Sequence, residues 1–190
     1  MSIQETLEEA RRLSWKSDTR KLYESGEAAT NSFMSSKDQE TKEFYAITLS
    51  PIESKIHSKG IWYDIDARER LVISLWNQVK HHLNRSLNNN YRRYPDRQLK
   101  NLVAVEHYDK NQKALIKPHL HGTLAIPKES KQAFEESFEE SFDEHGVRVL
   151  NLALFDTDIK SVFVRHIPSP DDLNYWNGYV LKQQFGVINK

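Results

Sequence analysis

Two hydrophobic periods alternate along this chain, and they predict different elements. Helical spacing comes first. Ile3, Leu7, Ala10 and Leu13 make one apolar stripe, and a weaker pattern continues from Ser17 to Met34. Val72, Leu75, Trp76, Val79, Leu83 and Leu87 define a long helix, with Asp64 as its N-cap and Asn88, Asn89 and Asn90 as its stop. Phe134, Phe138 and Phe142 stand one turn apart and predict a helix over Glu129 to Glu144. A last helix starts at Ser169 or Asp171 and runs to about Gln184. Between these, period-two or continuous apolar runs predict five strands: Phe44 to Leu49, Leu102 to Tyr108, Pro118 to Ile126, Val147 to Phe155 and Ile159 to His166. Ser50-Pro51 ends the first strand, and Pro51 to Tyr63 reads as a loop. The polar stretch Asp109 to Lys117 suits a hairpin connection. The element order argues for an α+β fold, an antiparallel sheet of five strands with helices mostly on one face. Residues 1–40 read as an N-terminal helical extension and 41–190 as the main domain.

Composition adds limits. The 190 residues suffice for one domain with a real core. No apolar run approaches the roughly 18 residues of a membrane helix, and the N-terminus lacks a signal-peptide pattern. A cytoplasmic protein is expected. The chain has no cysteine, which excludes disulfides and thiolate metal sites. Net charge is zero, yet Lys80 to Lys117 carries nine Lys/Arg against three acids. Lys128 to Gly146 carries two Lys against seven acids. A basic segment therefore adjoins an acidic one.

The chemistry centres on His119-Leu120-His121. On a strand, the two histidines share one face about 7 Å apart, and Leu120 faces the core. Such a pair is placed to hold one divalent ion. Glu106, on the strand that the hairpin brings alongside, is the preferred third ligand, and His107 is the alternative. Neighbours on a strand face opposite ways, so only one of them joins the pair unless a bulge intervenes. Histidine with carboxylate suits Mn²⁺ or Mg²⁺, and Zn²⁺ fits as well. Near the C-terminus, Tyr175, Tyr179 and Lys182 fall on one helix face at i, i+4 and i+7. A tyrosine can attack a phosphodiester, but its ordinary pKa is about 10, so it needs help near neutral pH. A metal ion supplies that help by polarising the phosphate. Lys182 is placed to orient the phosphate or stabilise the phenolate. A basic, aromatic loop carries Arg92, Arg93 and Arg97 with Tyr91 and Tyr94, which suits phosphate contact and base stacking. Arg165 and His166 close the strand before the last helix and suit contact with a nucleic-acid backbone.

With these residues in place, the chain resembles the HUH endonucleases, in particular the replication initiator proteins of rolling-circle plasmids, phages and single-stranded DNA viruses. His119-Leu120-His121 looks like the motif that names the family. Phe44 to Ser50 looks like its first motif, and Tyr179-Val180-Leu181-Lys182 looks like its Tyr-x-x-Lys nucleophile motif. The resemblance covers roughly residues 42 to 186. It implies a five-stranded antiparallel sheet of the ferredoxin-like kind, a divalent metal on His119, His121 and an acidic residue, and Tyr179 as nucleophile. Tyr175 is similar in position to the second tyrosine of phage-type initiators. It is then either a second nucleophile or a packing residue. The partners implied are single-stranded DNA or an origin hairpin, and host replication proteins. Three features depart from the pattern. The hairpin before His119 is long, the first 40 residues have no counterpart, and no Walker motif is present. Two other readings use the same residues: a transposase of the single-tyrosine HUH type, and a DNA-binding module without catalysis on the same fold.

Overall fold

The structure is a computed structural model. It describes residues 24–58, 60–88, 90–94, 97–108, 114–140, 148–150 and 158–188. The apolar stripe of Ile3 to Leu13, Phe142, and most of the expected Val147 to Phe155 strand lie outside the described residues. In chain order the elements are α1 (24–33), α2 (Ser36–Thr41), β1 (Lys42–Pro51), α3 (Glu53–Ser58), α4 (Ile65–Leu87), β2 (Lys100–Tyr108), β3 (Leu115–Pro127), α5 (Lys131–Glu135), β4 (Phe138–Glu140), β5 (Arg148–Leu150), β6 (Ile159–Ile167) and α6 (Pro170–Ile188).

One antiparallel sheet runs in the order β2-β3-β1-β6-β5-β4. Four long strands form its body, and two three-residue strands extend one side. Period two sends Tyr45, Ile47 and Leu49 of β1 to one face, together with Leu120, Leu124 and Ile126 of β3 and Val162 and Val164 of β6. There they meet Val72, Leu75, Trp76, Val79 and Leu83 of α4 in the main core. Asp64 caps α4 by accepting a hydrogen bond from the Ala67 amide at 2.9 Å. Arg68 is fully buried on this helix, with its guanidinium 5.3 Å from the Trp62 ring centre. It also donates to the Ile116 carbonyl where β3 begins.

The opposite face is covered as well. Phe44 and Ala46 of β1, Ala125 of β3 and Ile167 of β6 pack with Phe33, Met34, Leu173 and Trp176. Ala104 of β2 packs with Ala29 of α1 and with Val180 and Leu181 of α6. Helices therefore lie on both faces, not mostly on one, because both periods of the central strands are apolar. α1 crosses α6 with its backbone close in. A Cβ on Gly26 would stand 1.6 Å from the Asn174 carbonyl oxygen, so only glycine fits there. A buried polar chain joins these layers. The Thr123 hydroxyl of β3 donates to the Asn177 side-chain oxygen. The Asn177 amide donates to the Thr30 hydroxyl at 2.8 Å, and Thr30 donates to the Gly26 carbonyl at 2.8 Å.

Three further sequence expectations change. The sheet has six strands rather than five, since Phe138–Glu140 forms β4. The helix expected over Glu129 to Glu144 is a turn at Lys128–Ser130 followed by five helical residues. Its continuation would set Glu135 over Glu139 and Glu136 over Glu140, like charges one turn apart. The Ser137 hydroxyl instead takes the Ala133 carbonyl at 3.0 Å as the chain turns. The loop expected over Pro51 to Tyr63 holds a short helix, Glu53–Ser58.

Candidate functional site

The β2–β3 register sets Glu106 directly opposite His119 and Ala104 opposite His121. Alternation then brings Glu106, His119 and His121 to one face, the face that α6 partly covers. Glu106 Oε2 lies 3.0 Å from His119 Nε2 and 3.2 Å from His121 Nε2. Glu106 is only 8% exposed. Ligand atoms bound about 2.1 Å from one ion stand about 3.0 Å apart at right angles and about 3.4 Å apart at tetrahedral angles. The two Glu106–histidine separations fall in that range, and without an ion they are hydrogen-bonding distances. Glu106, His119 and His121 offer donor atoms all within 4.8 Å of one another and could hold a metal ion.

The ring nitrogens that face away are also placed. His121 Nδ1 lies 3.0 Å from the Thr48 hydroxyl on β1, and His119 Nδ1 lies 2.9 Å from the Lys117 carbonyl. When Nε2 is a ligand, Nδ1 carries the proton and donates to these oxygens. Such outer contacts fix tautomer and ring orientation in metal sites. The donor set therefore fits a divalent ion on chemical grounds.

His107, the alternative ligand, turns to the other face and is buried. Burial, and then the positive charges of Arg68 and His119, hold its pKa down to about 4. The register shift of this hairpin falls between Glu106 and Tyr108, after the carboxylate has paired with His119.

α6 brings the tyrosines over this face. Ser169 caps it, accepting from the Asp172 amide at 3.1 Å, and Pro170 occupies the first turn. The Tyr179 ring sits 5.6 Å from the His121 ring, edge to face. Trp176 stacks on Tyr179 at 5.4 Å, stands 5.8 Å from His121, and donates its indole N–H to the Gly122 carbonyl at 2.9 Å. Tyr175 is 45% exposed, one turn earlier. It lines a cleft of about 560 Å³ together with Arg165, His166, Trp176 and Tyr179. Lys182 falls on α6, and its side chain lies outside what the structure describes.

The arginines divide. Arg165 joins the tyrosine cleft. Arg92, Arg93 and Arg97 are exposed near the start of β2, and Arg97 lies over Tyr94 at 4.9 Å. Six residues of strand separate Lys100 from Glu106, so this loop lies about 20 Å from the triad. His166 Nε2 is 2.7 Å from Glu43, a contact that, with Lys131, lowers the Glu43 pKa. Sequence reasoning passed over Thr48 and Trp176. The signal for Trp176 was its spacing, one turn before Tyr179 on the same helix face. Thr48 became legible only through register, since nothing local marks it as the partner of His121. Among the described residues no helix is long and apolar enough to cross a membrane. Compared with known proteins, the chain matches no protein-family model, no curated protein and no solved structure.

Proposed function

We propose that this protein nicks and rejoins single-stranded DNA with Tyr179 as nucleophile, in the manner of a rolling-circle replication initiator. The observation that carries the reading is convergence: the Tyr179 ring stands against His121, one of three residues able to hold a metal ion. A divalent ion held there, Mn²⁺ or Mg²⁺ as in the family it resembles, with Zn²⁺ also compatible with two imidazoles, would neutralise charge on the scissile phosphate. Glu106, His119 and His121 would hold the ion, and it would supply charge to phosphate oxygens. Tyr179 then attacks phosphorus and loses its proton. The bond from phosphorus to the 3′-oxygen breaks, that oxygen takes a proton to leave a free 3′-hydroxyl, and the 5′-phosphate stays on the tyrosine. The reverse sequence rejoins the strand. Trp176 holds the phenol ring in place, and Arg165 offers charge to the backbone in the tyrosine cleft. Tyr175 lines the same cleft and is the candidate for a second transfer.

The test is a covalent adduct. The protein is incubated with origin-bearing single-stranded DNA and Mn²⁺, then run on a denaturing gel. Wild type is expected to form an adduct that EDTA abolishes and Tyr179→Phe cannot form. The reading is wrong if wild type forms none on any origin tried, or if Tyr179→Phe forms as much. Tyr175→Phe in the same assay decides whether one tyrosine or two react.

A further inference from the structure

β6 presents Ser161, Phe163 and Arg165 to the triad face, because its pairing sets Ser50, Thr48 and Ala46 of β1 opposite them. His121 pairs with Thr48 from the other side. His121, Thr48 and Phe163 thus form one row across three strands, and strand spacing puts Phe163 about 10 Å from His121. Among the described residues, α6 packs mainly over β2 and β3. Phe163, on β6, is 36% exposed.

A lone exposed apolar side chain is ordinary. Phe163 differs by its setting. It lines a cleft of about 320 Å³ with His119, Lys117, Lys160 and Glu53. Arg165, the next residue on the same face of β6, lines the tyrosine cleft. Both clefts reach the triad, one through His119 and the other through Trp176 and Tyr179, whose rings touch His121. Lys117 is paired with Glu53 at 2.5 Å and Asp172 lines the cleft of Arg165, so Lys160 and Arg165 are the cations that flank Phe163, one in each cleft. An aromatic face between two cations, beside a phosphate-activating site, has the chemistry of a single-strand platform: rings stack on bases and cations hold phosphates.

We propose that Phe163 is a stacking platform for a base of single-stranded DNA, with Lys160 and Arg165 on the flanking phosphates. The proposal rests on the nuclease reading and names how its substrate is held. It implies tolerance of base identity at that position, since every base offers a π-face.

The experiment measures binding of an end-labelled oligothymidylate of about 12 nucleotides to the full chain by fluorescence anisotropy. Phe163→Leu keeps apolar volume and removes the aromatic face. It is expected to bind roughly 5- to 150-fold more weakly than wild type, and Phe163→Trp to bind at least as well as wild type. Mn²⁺ affinity, read by calorimetry, is expected to stay unchanged in both, which shows the triad intact. Wild-type oligonucleotide affinity in Phe163→Leu overturns the platform. The two readings fail separately. If Phe163→Leu keeps both oligonucleotide affinity and adduct formation, the platform falls and the nuclease stands. If wild type never forms an adduct while Phe163→Leu loses oligonucleotide binding, the nuclease falls and the platform stands.

Discussion

A hydroxyl behind a histidine decides how well the histidine serves as a ligand. Thr48 holds His121 Nδ1, so Thr48→Val should weaken Mn²⁺ binding by about 10- to 100-fold with little change in melting temperature. Titration calorimetry reads the first quantity and circular dichroism the second. His107→Phe should leave Mn²⁺ affinity where it is, because that ring faces Arg68 and not the triad. An equal loss in His107→Phe and Glu106→Gln would contradict the assignment of Glu106. At this scale the sequence was informative where one rule acts alone. Strand alternation paired His119 with His121, and the hairpin register then chose Glu106 over its neighbour. Tyr179 was marked by its helical spacing to Tyr175. Thr48 was hidden, since its role arises only when β1 and β3 pair.

Caps and crossings set the elements. Asp38 closes a capping box with Ser35 at the start of α2 and accepts from Lys100 Nζ at 2.7 Å. Burial raises its pKa, but the hydrogen bonds from Lys100 and Ser35 outweigh it and hold the carboxyl at about 2 against a usual 3.8. A depressed carboxylate gives its full stabilisation above pH 3.8, and that share is lost as pH falls from there toward about 2. Asp38→Asn should therefore flatten the acid limb of stability in urea unfolding, while the other carboxylates keep theirs. Gly26→Ala should destabilise the protein by about 1–3 kcal/mol or more, since its methyl meets the Asn174 carbonyl. A melting temperature equal to wild type would contradict the α1–α6 crossing. α4 was readable in full because cap, apolar spacing and stop agreed. The acidic segment after it misled for a physical reason. Phe134 and Phe138 do meet in one core, with rings 5.0 Å apart, but one leaves a helix and the other a strand. Spacing of four residues fits both.

At the scale of the molecule, residues before β1 belong to the packing of the site helix. Ala29, Phe33 and Met34 fill the second core beneath α6, and Thr30 bonds Asn177. A chain beginning at residue 42 should lose stability, on the order of 2–5 kcal/mol from Met34 alone. Circular dichroism melts of the two lengths compare them directly. Unchanged stability in the shorter chain would show that the second core is incidental. One layer was legible but the second was not expected, although apolar residues on both faces of β1 call for cover on each side. Which helix covers which face was not legible, because nothing local links Gly26 to Asn174. The buried chain from Thr123 through Asn177 to Thr30 has a kinetic corollary. Tyr175 and Tyr179 differ by four residues, about one helical turn of 5.4 Å. A slide of α6 by that step would exchange the two phenols beside Glu106, His119 and His121, but it would also break both buried bonds of Asn177, to Thr123 and to Thr30. The helix is keyed in a single position, so under the proposed function a hand-over between the tyrosines falls to the substrate strand and not to a slide of α6.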